Sequence, residues 1–183
     1  MKKTILSIVL SLLTSFSIFG QNPLEYSRVV KIDSVSAGEL FSRAKIWIAL
    51  TYKSAQDVIQ LSENNHIIIK AKFSPENTKL NFMTFSVNDV DYCLEIETRD
   101  GRFRAAMHTI TLCSRINQQP KSLEFGILQN EEVPYDFPGY ATMKQCQMIV
   151  DDVKKQCETH FEMLVSLLSE NIRKEKVSAK EDW

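Results

Sequence analysis

Asp100-Gly101 joins two runs that each read as a long strand, Val90 to Thr98 and Arg102 to Cys113. An Asp-Gly pair between alternating apolar residues is the strongest short-range hairpin signal and predicts a two-residue type I′ turn. Arg99 then faces Arg102. Counting back sets Ile96 opposite Ala105, Leu94 opposite Met107 and Tyr92 opposite Thr109. That set is apolar and is expected beneath the helices. The alternate set, Glu95, Glu97, Arg104 and His108, is expected in water, with Cys93 opposite His108 and Cys113 among the core positions. A slip of one residue would reverse every one of these placements.

The stretch Ser36 to Phe73 supplies the cover. Ser36-Ala37-Gly38-Glu39 fits a capping box, in which the Ser36 hydroxyl accepts from a first-turn amide and Glu39 reaches back to the cap. Leu40, Ala44, Trp47, Ile48 and Thr51 follow at helical spacing and form one apolar stripe. Trp47 is the largest side chain on it and reads as a core anchor, the competing role being a stacking platform for a ligand. Beyond Ser54-Ala55 the period changes. Val58 to Leu61 is a short strand, Glu63-Asn64-Asn65 a polar turn, and His66 to Phe73 a second strand. There Ile67, Ile69, Ala71 and Phe73 alternate with Ile68, Lys70 and Lys72, one face buried and one wet.

Around these two units, Tyr26 to Asp33 reads as a first strand, Ser74 to Thr78 as a turn-rich break, and Leu80 to Phe85 as a strand or sheet edge. Ser114 to Gly139 carries Pro120, Pro134 and Pro138 and reads as one long irregular connection holding Tyr135 and Phe137. From Ala141 to Arg173, Met143, Cys146, Val150, Val153, Cys157, Phe161, Leu164 and Leu168 recur at spacings of three and four. They predict a long helix able to cover a four- or five-stranded sheet. The order is β-α-β-β-β-β-α. It predicts an α+β fold, an antiparallel sheet with helices packed on one face.

Arg43-Ala44, Trp47, Ser54-Ala55, Val58-Ile59-Gln60 and Asp100-Gly101-Arg102-Phe103 together resemble an uncharacterised bacterial family, domain of unknown function 4468. The resemblance covers about Tyr26 to Thr111 and departs at Ala71, near which the family often carries glycine. It implies exported proteins with a fold like that of the TATA-box-binding protein. It implies no activity, because none is assigned to the family.

Met1-Lys2-Lys3 followed by an apolar run from Ile5 to Phe19 describes a secretory signal peptide, too short and wrongly flanked for a stable membrane span. Cleavage is expected after Gly20, with Ser17 as the alternative, and no cysteine is near enough for a lipid anchor. The expected organisation is a signal peptide over 1–20, a single TBP-like domain over 21–174 and a charged tail over 175–183. The product is then periplasmic or secreted, without a transmembrane span. The full chain carries a formal charge of −1, and loss of Lys2 and Lys3 makes the remainder more acidic. That is a poor footprint for phosphate contacts, so nucleic acid is excluded as a partner despite the implied fold.

Cys93, Cys113, Cys146 and Cys157 would sit in an oxidising compartment. Cys146 and Cys157 lie three turns apart on one predicted helix, roughly 16 Å by helical rise, too far to bond each other. Cys93 and Cys113 are expected on opposite faces of the hairpin, so at most one disulfide is predicted and free thiols are favoured. Nucleophilic catalysis needs a positioned base. The histidines are His66, His108 and His160, and none stands in a recognisable triad signature. The best pair is Cys93 with His108, where an imidazolium could activate the thiol. Cys157 and His160 offer half a zinc site, and Asp89 with Asp91 a thin calcium pair. No phosphate-cradling glycine loop appears, and no cofactor, metal or catalytic residue is assigned.

Two readings follow. In the first the chain is a non-catalytic binding or interaction domain. Its partner is a small molecule or an envelope protein, met through Trp47, Phe73, Tyr92, Tyr135 and Phe137. The second is a small thiol enzyme using Cys93 and His108, or an envelope structural component.

Overall fold

The computed structural model describes residues 22–80, 83–85, 89–115, 122–130 and 142–178. An antiparallel sheet has the order β1 (Tyr26–Lys31), β7 (Arg102–Arg115), β6 (Asp89–Arg99), β3 (His66–Phe73), β2 (Ile59–Glu63), with β8 (Ser122–Ile127) also on β7. The β4–β5 hairpin (Thr78–Leu80, Met83–Phe85) stands apart; β5 and Leu80 fall in the stretch read as a strand or edge, while Thr78 begins β4 inside the stretch read as a break. Helices α1 (Ala37–Thr51) and α3 (Met143–Ser178) contribute to one apolar core with the sheet. A single turn of helix, α2 (Ala55–Val58), leads into β2.

Arg99 pairs with Arg102, Ile96 with Ala105 and Leu94 with Met107, as the Asp-Gly loop predicts. The turn itself is not type I′, which needs left-handed φ at both central residues. Of the two, only Gly101 is left-handed, with φ +72. Asp100 is engaged elsewhere: its Oδ1 accepts from the Ala37 amide at 2.8 Å, while the Gly101 amide donates to the Val35 carbonyl at 2.9 Å. The hairpin tip is thereby tied to the start of α1. Ser36 supplies half of the expected capping box, accepting from the Glu39 amide at 3.3 Å. The Glu39 carboxylate pairs instead with Arg43, one turn on.

The chain leaves β1 at one sheet edge and re-enters at β2 on the other. Four strand spacings span about 19 Å, and the fifteen residues of α1 rise about 22 Å. That helix is the bridge between the edges. Leu40, Ala44, Trp47 and Ile48 are buried on it as predicted. Thr51 is exposed, and the fifth buried member is Arg43. Its guanidinium bonds the Ile172 carbonyl of α3 and Glu39, so a cation in an apolar stripe is tolerated because its donors are satisfied. On α3, Cys146, Val150, Val153, Cys157, Phe161, Leu164 and Leu168 are all buried, joined by Ile149, Val165 and Ile172. The helix runs on to Ser178, beyond the Arg173 expected as its end.

Val90, Tyr92, Leu94 and Ile96 of β6 and Phe103, Ala105 and Met107 of β7 are buried beneath the helices. Beyond Met107 the simple alternation fails. Cys93 pairs with His108 but Asp91 pairs with Thr111, so Tyr92 stands opposite two residues. This β-bulge is centred on Thr109, which is exposed and left-handed at φ +53. The expected Tyr92–Thr109 pairing is therefore absent. Ile110 and Leu112 become the buried residues instead of Thr109 and Thr111. The expectation for Cys113 falls on a side chain outside those described; its backbone pairs with Asp89. Within the stretch read as irregular, Ser122–Ile127 forms β8, whose own bulge is accommodated at left-handed Gly126 (φ +70).

Candidate functional site

Phe73 ends β3 at the point where residues 74–77 pass across the middle of α3. Gln156 of α3 holds that segment as a strand would. Its Oε1 accepts from the Glu76 amide at 2.7 Å and its Nε2 donates to the Glu76 carbonyl at 3.2 Å. A second bond, from Nε2 to Asp152 Oδ2 at 3.1 Å, fixes the amide's orientation. Between segment and helix lies a cleft of about 720 Å³, whose lining includes Phe73, His160, Glu76, Asn77, Asp152 and Met163. That volume is within the range of small-molecule sites. Met163 is 47% exposed, an apolar side chain left at the rim.

From the cleft wall an aromatic series runs into the core. The His160 ring stacks on Phe73 at 4.2 Å and 17°, and meets Tyr92 edge-on at 5.5 Å. His160 Nε2 is 3.2 Å from the Tyr92 hydroxyl, which is 3.3 Å from that of Tyr52. Tyr52 in turn meets Trp47 edge-on at 6.2 Å. Burial lowers the His160 pKa and raises those of Tyr52 and Tyr92. At neutral pH the group is an uncharged imidazole against two protonated phenols, suited to stacking and hydrogen bonding. Cys157, one turn before His160, is fully buried and its thiol is pushed up to about 12 by burial. It is no nucleophile there.

The five residues singled out from sequence thus divide. Phe73 reaches the cleft surface. Tyr92 lies directly behind it, and Trp47, 3% exposed, is a core anchor linked through Tyr52. Tyr135 and Phe137 lie outside the described residues. Gln156 and Glu76 were missed, and His160 was weighed only as half of a zinc site. His160 carried a usable signal, being an imidazole beside the apolar stripe of α3 with Phe161 next to it.

The opposite face of the sheet carries a separate polar group. Cys93 pairs with His108 there, as expected, and is a free, half-buried thiol. Both His108 nitrogens have other partners: Nδ1 meets the Thr109 hydroxyl at 2.9 Å and Nε2 lies 3.8 Å from Glu95. Nearby, His66 Nε2 is 2.6 Å from Glu95, and Arg104 lies 3.5 Å from Glu95 and 3.3 Å from Glu97. Cys157 and His160 belong to the helix side, so the sheet separates the two halves of the zinc set weighed from sequence. Asp89, one of the thin calcium pair, accepts from Lys72 and Ser74 instead.

Residues 26–112 match the sequence profile of a family described as a domain of unknown function (DUF4468) with TBP-like fold. A TBP-like protein from Parabacteroides distasonis is similar in structure, with a TM-score of 0.54 at 17% identity, covering 80% of this chain and 93% of that one. A DUF4468 family protein from Bacteroides ovatus aligns with a TM-score of 0.49 at 9% identity, covering 85% and 94% respectively. No curated protein matches the chain. At such identity the first neighbour speaks for the fold alone. No helix among the described residues is long and apolar enough to cross a membrane.

Proposed function

Because residues 26–112 carry a DUF4468 domain with a TBP-like fold, a family to which no activity is assigned, we propose that the chain is an exported, non-catalytic binding domain whose ligand docks in the cleft at Phe73 and His160. The observation that carries this is a stacked aromatic pair, Phe73 on His160, lining one concave space together with the polar Glu76 and Asp152. Stacking against the open face of the Phe73–His160 pair favours a ligand with a planar or apolar group. The Asp152 and Glu76 carboxylates at the rim favour hydrogen-bond donors or a cation on its other end. A small molecule and the side chain of an envelope protein partner both satisfy this chemistry. Export rests on the lysine-led apolar run at residues 1–20, and envelope fractionation of the full chain tests it.

The binding reading is tested by amide NMR of the chain from residue 21, titrated with a fragment set of aromatic amines. Shifts confined to residues 73–77 and 152–163, abolished in Phe73→Ala, are the expected result. Shifts elsewhere, or none at millimolar fragment, would sink the reading. The Cys93–His108 register favours a thiol enzyme as the second reading. The imidazole's engagement with Thr109 and Glu95 weighs against it, and rapid alkylation of Cys93 near pH 6 would revive it.

A further inference from the structure

Two of the three histidines, His66 and His108, approach Glu95 on the sheet face away from the helices, from the strands on either side of β6. The register explains the convergence. His66 begins β3 opposite Glu97 and diagonal to Glu95, while His108 on β7 is opposite Cys93 and diagonal to Glu95. Directly across from Glu95 on β7 is Ala106, whose methyl leaves room for the longer side chains around it. One donor atom from each of His66, Glu95 and Glu97 lies within 4.8 Å of the others. A tetrahedral site with bonds near 2.1 Å places its donors about 3.4 Å apart, so modest rotamer adjustment would close this set on an ion.

We propose that His66, Glu95 and Glu97 form a binding site for a divalent transition ion of the zinc class. One imidazole nitrogen and two carboxylates are a borderline-to-hard donor set, which suits Zn²⁺ and Co²⁺ and disfavours soft ions that seek thiolates. Three protein ligands leave the remaining position to solvent, an open site. His108 and Arg104 act behind the ligands, His108 facing the second oxygen of Glu95 and Arg104 reaching both carboxylates. Such supporting contacts fix the direction of ligating carboxylates. Two carboxylates against one guanidinium leave one negative charge at the cluster when the imidazoles are neutral, which favours a cation. All three ligands stand on β3 and β6, interior strands of the sheet, so the geometry does not depend on a loop. Their side chains are 20–35% exposed, open enough for entry.

The site is independent of the cleft, and the test keeps them apart. Untagged protein from residue 21 is titrated with Zn²⁺ by calorimetry, and with Co²⁺ by visible absorption, whose ligand-field bands report coordination directly. One equivalent is expected to bind, with His66→Gln and Glu97→Gln each weakening it at least tenfold, the lower end of what even a supporting group costs. Cys93→Ser and His160→Gln are expected to leave binding unchanged, and circular dichroism on every variant checks that it is folded. The proposal is overturned by absence of binding at millimolar Zn²⁺, by full affinity in folded His66→Gln, or by loss of binding in Cys93→Ser.

Discussion

Replacing Ile110 and Thr109 one at a time tests the phase reversal on β7, because an unbroken alternation and a bulge give opposite answers. Continued without interruption, the register from Asp100-Gly101 buries Thr109 and exposes Ile110. In the structure Ile110 is fully buried and Thr109 is exposed with left-handed φ. Ile110→Ala deletes three carbons, about 2.4 kcal/mol at roughly 0.8 per buried methylene. The cavity left behind raises the total to about 3 kcal/mol, inside the range of ~2–5 for such truncations. Thr109→Gly relieves about 1–2 kcal/mol of left-handed strain. Against this stand roughly 0.5–1 for glycine's chain entropy and about 0.5–1 for the lost contact with His108. The result should fall within about 1 kcal/mol of zero. Urea unfolding reads both through the midpoint at constant slope, and the Ile110 variant should melt about 6–12 °C lower, at 2–4 °C per kcal/mol for this size. An Ile110→Ala cost below about 0.5 kcal/mol, the level of a surface change, refutes the bulge. So does a Thr109→Gly cost as large as that of Ile110→Ala.

In a Cys113→Ser background, Cys93 should be alkylated in the folded protein while Cys146 and Cys157 react only on unfolding, since both are buried and the Cys157 thiol is pushed up to about 12. Equal rates for Cys93 and Cys157 would show that α3 does not cover the sheet. Burial lowers the His160 pKa, so the unfolded chain takes up that proton more readily than the folded one. This stabilisation is whole above about pH 6.5 and is lost as pH falls from there toward the lowered folded value. Wild type should therefore lose more stability than His160→Gln between about pH 7.5 and about pH 5; equal losses would show that His160 does not carry the acid sensitivity.

What local chemistry determines was readable in advance. An Asp-Gly pair sets a register whatever its turn type, and helical spacing on α3 marked its buried face from Cys146 to Leu168. What was missed depends on partners distant in sequence. Asp100 leaves type I′ geometry because the Ala37 amide needs an acceptor. Arg43 is buried because Ile172, far along the chain, offers a carbonyl. The bulge at Thr109 had no local marker, since a β-branched residue is a poor left-handed former and glycine was the residue to look for. By contrast, β8 was legible: Leu123, Phe125 and Ile127 alternate within Ser122–Ile127. The prolines around that segment outweighed the pattern. Of the candidate site, Phe73 and Tyr92 could be named from alternation on their own strands. His160 could join them only once α3 was docked over the end of β3.

The same strand serves both faces. Along β6, Val90, Tyr92, Leu94 and Ile96 are buried beneath the helices, while Asp91, Cys93, Glu95 and Glu97 are half-buried on the other face. Cross-strand polar pairs contribute roughly 0.2–1 kcal/mol each, so the His66–Glu95 and Arg104–Glu97 contacts add little to a fold held by Ile67, Leu94 and Phe103. Exchanging His66 or Glu97 for glutamine should therefore leave unfolding nearly unchanged. Truncating Tyr92, fully buried and bonded to Tyr52 and His160, should cost about 3–5 kcal/mol, as large buried aromatics do. That asymmetry separates structural from binding roles. A polar-face variant that stays as stable as wild type and loses Zn²⁺ has lost ligand chemistry alone. A variant that loses both in proportion would show that the polar face holds the sheet together and would leave the metal site without support.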